Sequence, residues 1–393
     1  MAAVKVSHFM HEALFDATSG YYRTKNPLDD FITAPEISQV FGELIAAYFL
    51  QISLTKKTKI SLVEMGAGKG TLLRDILVSV KKLAEKRIAP AVEFLERVDL
   101  HIIEINEVLK KIQQEKLKDF SITWHKNFHE FVGAGLVPAR LQLTTDNSSK
   151  TGFVTPSSCS DQAQVDVNGW TGLQTPSSVS GGVSRHKSDA EIFFISNELF
   201  DCFPIDQFVK TDIGWCERLI DSGKFITANF DPKIHQFVEN LAAANAPFGA
   251  VFEHSSAAKN FMSQLCEALK THGGIAINFD YGYVKTEFAN TLQAVKNHQK
   301  VEVLKNVGEA DITAHVDFSA LEKIAKNFGL NSSIISQREF LISLGIEERR
   351  KILPPSENSA IDRLIATDQM GELFKCHIIW TPQQVRGDKK SNL

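Results

Sequence analysis

Cysteine is sparse in the 393-residue sequence, and none of its five cysteines sits in a C-x-x-C pair. Cys159, Cys202, Cys216, Cys266 and Cys376 are odd in number and irregular in spacing, which argues against a disulfide framework or a zinc knuckle and for a reducing compartment. No stretch approaches the roughly 18 apolar residues of a membrane span. With 43% apolar and 23% charged residues, the composition is that of a soluble globular chain. Neither sign of charge dominates: a net charge of −4 and a pI near 6.3 give no general reason to hold a polyanion, so nucleic acid is disfavoured as a partner. The opening MAAVKVSHFMHEALF lacks both the apolar core of a secretory leader and the Arg-rich look of an organelle presequence. The expected location is therefore the cytoplasm, or the mitochondrial matrix for a mature form that has lost a leader. With no H-E-x-x-H and no clustered Cys/His set, no metal is expected.

What is present is a βαβ rhythm. ISLVEM, DLHIIEI and SITW read as strands, separated by helical spacing at Leu72, Leu73, Ile76, Leu77, Val80 and Leu83 and by NEVLKKIQQEKL. Such alternation predicts an α/β fold with a mostly parallel sheet and helices on both faces. EIFFISNELFD and GGIAINFDYGY are further buried strands with polar exits, SSIIS and LFKCHIIW are the last, and helices are expected around 339–368. QFVKTDIGWCERLIDSGKFITAN reads as a β-excursion turning at Ile213-Gly214. The length permits one large domain with additions. The expected organisation is an N-terminal cleft segment (1–50), two core halves (58–140 and 191–285) and C-terminal additions (286–393). Between the halves, 141–190 is Ser/Thr/Gly-rich and repeats TGFVTPSS as TGLQTPSS, the pattern of a disordered surface insertion.

The stretch EMGAGKGT admits several ligands. A Walker A loop is excluded because Gly70 stands where a Mg²⁺-binding hydroxyl belongs. A dinucleotide fingerprint is weakened because Thr71 replaces its third glycine. The acid-x-G-x-G-x-G turn of a class I S-adenosylmethionine (SAM) methyltransferase fits Glu64, Gly66, Gly68 and Gly70, since an acid before the turn suits an ammonium and repels a phosphate. A merely structural tight turn stays open. Glu104, at the end of the next strand, can accept both hydroxyls of a ribose, or can be a solvated acid opening a helix.

The fourth strand carries the candidate chemistry. A helical turn after it would bring Glu198 and Asp201 onto one face beside Asn197, and paired carboxylates suit a guanidinium fork. The plainer role for Asn197 or Asp201 is a helix cap. Thr33, Pro35, Glu36, Ser38 and Gln39 cluster in DFITAPEISQ, which also reads as a loop and helix start. His315 and Asp317 fall on a strand end before a helix, where a lone His is commonly structural.

Together these blocks resemble the MidA-type SAM-dependent methyltransferases. The resemblance rests on SGYY, DFITAPEISQVFGELI, VEMGAGKGTLLRDIL, NELFDCFPIDQF, GWCERL, FDYGY, TLQAVKNH, GEADITAHVDF, FLISLGIEERRKIL and MGELFK, and spans nearly the whole chain outside 141–190. It implies a class I methyltransferase fold with helical and β additions and SAM as cofactor. It further implies ω-N-methylation of arginine on a protein acceptor, an NADH dehydrogenase (complex I) subunit or assembly intermediate. It also implies that the blocks at 30–43 and 308–318 line the cleft. A non-catalytic SAM-binding assembly factor and an NAD-dependent dehydrogenase remain as alternatives.

Overall fold

The computed structural model describes residues 3–25, 30, 32–134, 190–241 and 246–382. The expected insertion 141–190 lies outside them except for Ala190, which opens a strand.

The main strands of the central sheet are β1 (Lys59–Met65), β2 (Val98–Ile103), β3 (Ile122–His125), β4 (Ala190–Asn197), β5 (Gly274–Tyr283), β6 (Asn331–Ser336) and β7 (Phe374–Trp380). Their spatial order is β6-β7-β5-β4-β1-β2-β3, parallel from β5 across to β3, with β7 running antiparallel between β5 and β6. The near-continuous apolar runs of β1, β4 and β5 follow from burial on both faces. Alternate residues serve opposite cores: Phe193 and Ile195 of β4 join one, Ile192 and Phe194 the other.

Helices α1 (Gln39–Ser53) and α2 (Thr71–Glu85) cover the first face, α3 (Glu107–Lys116) links β2 to β3, and α4 (Ser256–His272) and α5 (Phe318–Asn327) cover the second. The capping chemistry is local. Ser38, Asn106, Ser255 and Asp317 each accept a backbone N–H at the start of α1, α3, α4 and α5, respectively. The first two helices cross so closely that a Cβ on Gly42 would lie 2.7 Å from the Cβ of Asp75.

The β-excursion is a second, antiparallel sheet of Asp206–Thr211, Gly214–Asp221, Lys224–Thr227 and Val251–His254, joined by Val4–Lys5. Its turn sits one residue earlier than expected: Thr211 pairs with Gly214, so Asp212 and Ile213 form the loop. A small sheet of Gln293–Lys296, Gln299–Val301 and Asp311–Thr313 meets the N-terminal segment through two phenols. Tyr22 donates to Asp311 at 2.6 Å, and Tyr21 donates at 2.6 Å to Asp30, which accepts the Asn297 amide at 2.6 Å. Cys202, Cys216, Cys266 and Cys376 are free and buried. Among the described residues no helix is long and apolar enough to cross a membrane.

The chain runs outward from β1 to β3 and then returns to the other side of β1 with β4. The carboxyl ends of β1 and β4 therefore flank the topological switch point, where open α/β sheets hold their ligands.

Candidate active site

A cavity opens at this switch point, lined by residues from several strand exits. From the β1 exit come Glu64, Gly66 and Gly68, from β2 Glu104, and from β4 Asn197 and Glu198, while Thr33, Pro35 and Glu36 close the far wall.

The β1 exit turns tightly because Gly66, Gly68 and Gly70 have φ of +71°, +52° and +75°, values that side-chain-bearing residues adopt at a cost. Gly70 stands apart from the cavity. It starts α2, and a Cβ there would lie 3.1 Å from Leu117 and 3.4 Å from Gln113, so its role is to seat the turn against α3. Gln113 is a residue that motif reading missed. Fully buried, it donates at 2.8 Å to the Gly68 carbonyl and at 2.9 Å to Glu104, and accepts from the Trp124 indole at 3.1 Å. Its one sequence signal was a polar residue four positions after Leu109, on the buried stripe of α3.

Glu64 is 2% exposed and accepts the Leu73 amide at 3.2 Å; burial pushes its carboxyl up to about 8. Glu104 is buried too, not a solvated acid, and accepts the Asn106 amide at 2.8 Å besides Gln113. Burial raises it to about 7 against the pull of those bonds. Gly66 and Gly68 keep the wall free of side chains, two carboxylates stand ready for donors, and the buried Oδ1 of Asn197 has no partner. The lining thus fits a guest with an ammonium group and neighbouring hydroxyls.

The β4 exit departs from expectation. Instead of a helical turn, the backbone bends at Glu198 with φ +52°, and the Asp280 carboxylate gathers the amides of Leu199, Phe200 and Asp201 at 3.1, 2.8 and 3.2 Å. Glu198 therefore lines the cavity, whereas Asp201 lines a neighbouring hollow and accepts the hydroxyl of Tyr281. Neither Asn197 nor Asp201 caps a helix. Asn197 donates to Glu198 at 3.0 Å.

The remaining candidates divide. Glu36 lines the cavity and accepts the hydroxyl of Thr71, which in turn accepts from Lys116 at 2.5 Å. Ser38 and Gln39 stand away from the cavity, because Ser38 caps α1 and Gln39 reaches Glu43 along that helix at 3.3 Å. His315 and Asp317 lie in the second hollow with Asp201, and Asp317 also accepts the Ala320 amide at 3.0 Å.

Electrostatically the β4 exit is unbalanced. Burial raises Glu198 to about 8, Asp201 to about 6 and Asp311 to about 8, and the negative charge of Asp201 adds to the rise at Glu198 and Asp311. Asp280 is pushed up by burial and by Asp201 and Glu198, against the pull of its backbone donors. Among the described residues, no ion pair involves any of the four.

Residues 44–336 match the model of a family described as S-adenosyl-L-methionine-dependent methyltransferase. Protein arginine methyltransferase NDUFAF7, mitochondrial, of Danio rerio is 29% identical, over 95% of this chain and 82% of that protein. Its Homo sapiens counterpart is 28% identical over 98% and 82%. A Burkholderia thailandensis protein solved with S-adenosyl-homocysteine bound superimposes with a TM-score of 0.68 at 23% identity, covering 96% of this chain and 88% of that one. The fold is thus that of the class I methyltransferases.

Proposed function

The chain belongs to the S-adenosyl-L-methionine-dependent methyltransferase family, and from that premise we propose that it methylates a guanidinium nitrogen of arginine in a protein acceptor. The observation that carries the acceptor's chemistry is the set of buried carboxylates at the β4 exit. Among the described residues, Glu198, Asp201, Asp280 and Asp311 are served by neutral donors alone, from Asn197, Tyr281, Tyr22 and backbone amides. Burial raises these acids toward their protonated forms, and an arriving guanidinium gives them a charged partner held by forked hydrogen bonds.

In this reading Glu104 takes the ribose hydroxyls of SAM, Glu64 and the free Oδ1 of Asn197 take its ammonium, and the glycine turn lets the backbone approach. When bound, SAM supplies a methyl group on a sulfonium and leaves as S-adenosyl-homocysteine. Glu198 and Asp201 orient the guanidinium, and a Glu198 oxygen receives the proton that the methylated nitrogen loses. A carboxyl held near 8 is well matched to that exchange at neutral pH. Positioning of the two reactants contributes most of the acceleration, and no covalent bond to the protein is required.

The names of the mitochondrial relatives support a mitochondrial acceptor, and the acceptor we propose is a subunit or assembly intermediate of NADH dehydrogenase. The test has two stages: titration calorimetry with SAM, then transfer of a labelled methyl group to lysate proteins and hydrolysis to amino acids. Binding followed by labelled methylarginine supports the proposal. Binding with no labelled methylarginine overturns it in favour of a SAM-binding assembly factor.

A further inference from the structure

The second hollow, about 490 Å³, shares a wall with the cofactor cavity. That wall is the turn after β4: Glu198, Leu199 and Cys202 face the cavity, and Phe200 and Asp201 face the hollow. A transferase must bring donor and acceptor together, and here one turn offers a carboxylate to either side.

Three acids, Asp201, Glu253 and Asp317, line the hollow, against the single ammonium of Lys259 and the rings of His254 and His315. Two of the acids are satisfied internally. Glu253 accepts from Gln207 at 2.7 Å and from the amide and hydroxyl of Thr291 at 3.0 and 2.5 Å, and Asp317 accepts from Ser319 and Ala320 at 2.8 and 3.0 Å. Asp201, only 5% exposed, differs: its carboxylate has one side-chain donor, the Tyr281 hydroxyl, and its buried Oδ1 has only the backbone amides of Asp201 and Cys202 near it, at poor geometry. A carboxylate so weakly served in the wall of a hollow has acceptor capacity left for a donor on a guest. Phe200, Phe252 and Tyr283 supply apolar surface there, suited to the methylene stem of a long cationic side chain.

We propose that this hollow is the acceptor site. The arginine-bearing segment of the protein substrate lies in it, and the guanidinium reaches Asp201 from this side while Glu198 meets it from the cofactor side. The proposal rests on the arginine reading above.

Ala320→Trp tests it at the rim, on half-exposed α5, without touching the cofactor cavity. The expected result is unchanged SAM affinity by calorimetry, and at least about a tenfold rise in the lysate concentration that half-saturates formation of labelled methylarginine. Lys259→Met removes the one cation and should shift half-saturation the opposite way, an outcome that misfolding cannot imitate. Wild-type half-saturation in both variants overturns the acceptor site and leaves the arginine reading standing. Absence of methylarginine from the wild-type protein that binds SAM overturns both.

Discussion

The two strand exits that meet at the switch point are built by opposite means. At β1 the turn is set mainly by its own backbone, through three left-handed glycines and Glu64 bonded to an amide nine residues later, with Gln113 holding the Gly68 carbonyl from α3. At β4 the turn is set from a distance, by Asp280 on the neighbouring strand, 79 to 81 residues beyond the amides it gathers. The first exit draws its shape from several separate features, and the second from a single carboxylate that gathers three amides. Placing Glu198 and Asp201 on a remotely held turn fixes their positions while, among the described residues, neither has an ion-pair partner.

The sharpest way to separate the two is to damage each. Glu104→Ala, on the cofactor side, should weaken SAM binding roughly 10- to 100-fold, the loss of a charged hydrogen-bond acceptor, as read by calorimetry. Asp280→Asn, at the β4 exit, should lower methyl transfer at saturating SAM about tenfold and weaken SAM binding less than Glu104→Ala does, because an amide nitrogen facing backbone donors releases the turn that presents Glu198 and Asp201. If Asp280→Asn instead impairs SAM binding and spares transfer at saturating SAM, the two exits are not functionally distinct.

The smallest effect concerns pH. Glu64 and Glu104 titrate near 8 and 7 in the fold, above the usual carboxylate range, so the folded state holds more protons than the unfolded chain between pH 5 and 8. Their contribution to stability is fully present in acid and is lost as pH rises through those values. The SAM-free protein should therefore melt a few degrees lower at pH 8.5 than at pH 6, and Glu64→Gln should flatten that slope. An unchanged melting temperature for wild type across this interval would mean that these acids are ionised throughout.

The same contrast explains what the sequence could disclose. Glycine spacing encodes backbone angles directly, so Glu64, Gly66 and Gly68 were legible, as was Glu104 at the end of its strand. Ser38 and Gln39 were close in sequence to the true lining residues, but the start of α1 turned them elsewhere. Glu198 and Asp201 were expected on one helical face, but spacing of three implies one face only in a helix, and the positive φ of Glu198 prevents one, so they line opposite sides of the turn. Gln113 and Asp280 gave little signal, since each works through partners that only the fold brings near. The mostly parallel sheet followed from the βαβ rhythm, and the strand order did not; the reversed β7 has no counterpart in its apolar run, which reads alike in either direction.

The central claim is that the acids of the β4 exit receive an arginine. It is tested most directly by comparing wild type with Glu198→Gln in one assay of labelled methyl transfer, with SAM affinity measured alongside. The account predicts labelled methylarginine from the wild type, a loss on the order of 100-fold or more in the variant, and unchanged SAM affinity. Methylarginine formation by Glu198→Gln at the wild-type rate would contradict it.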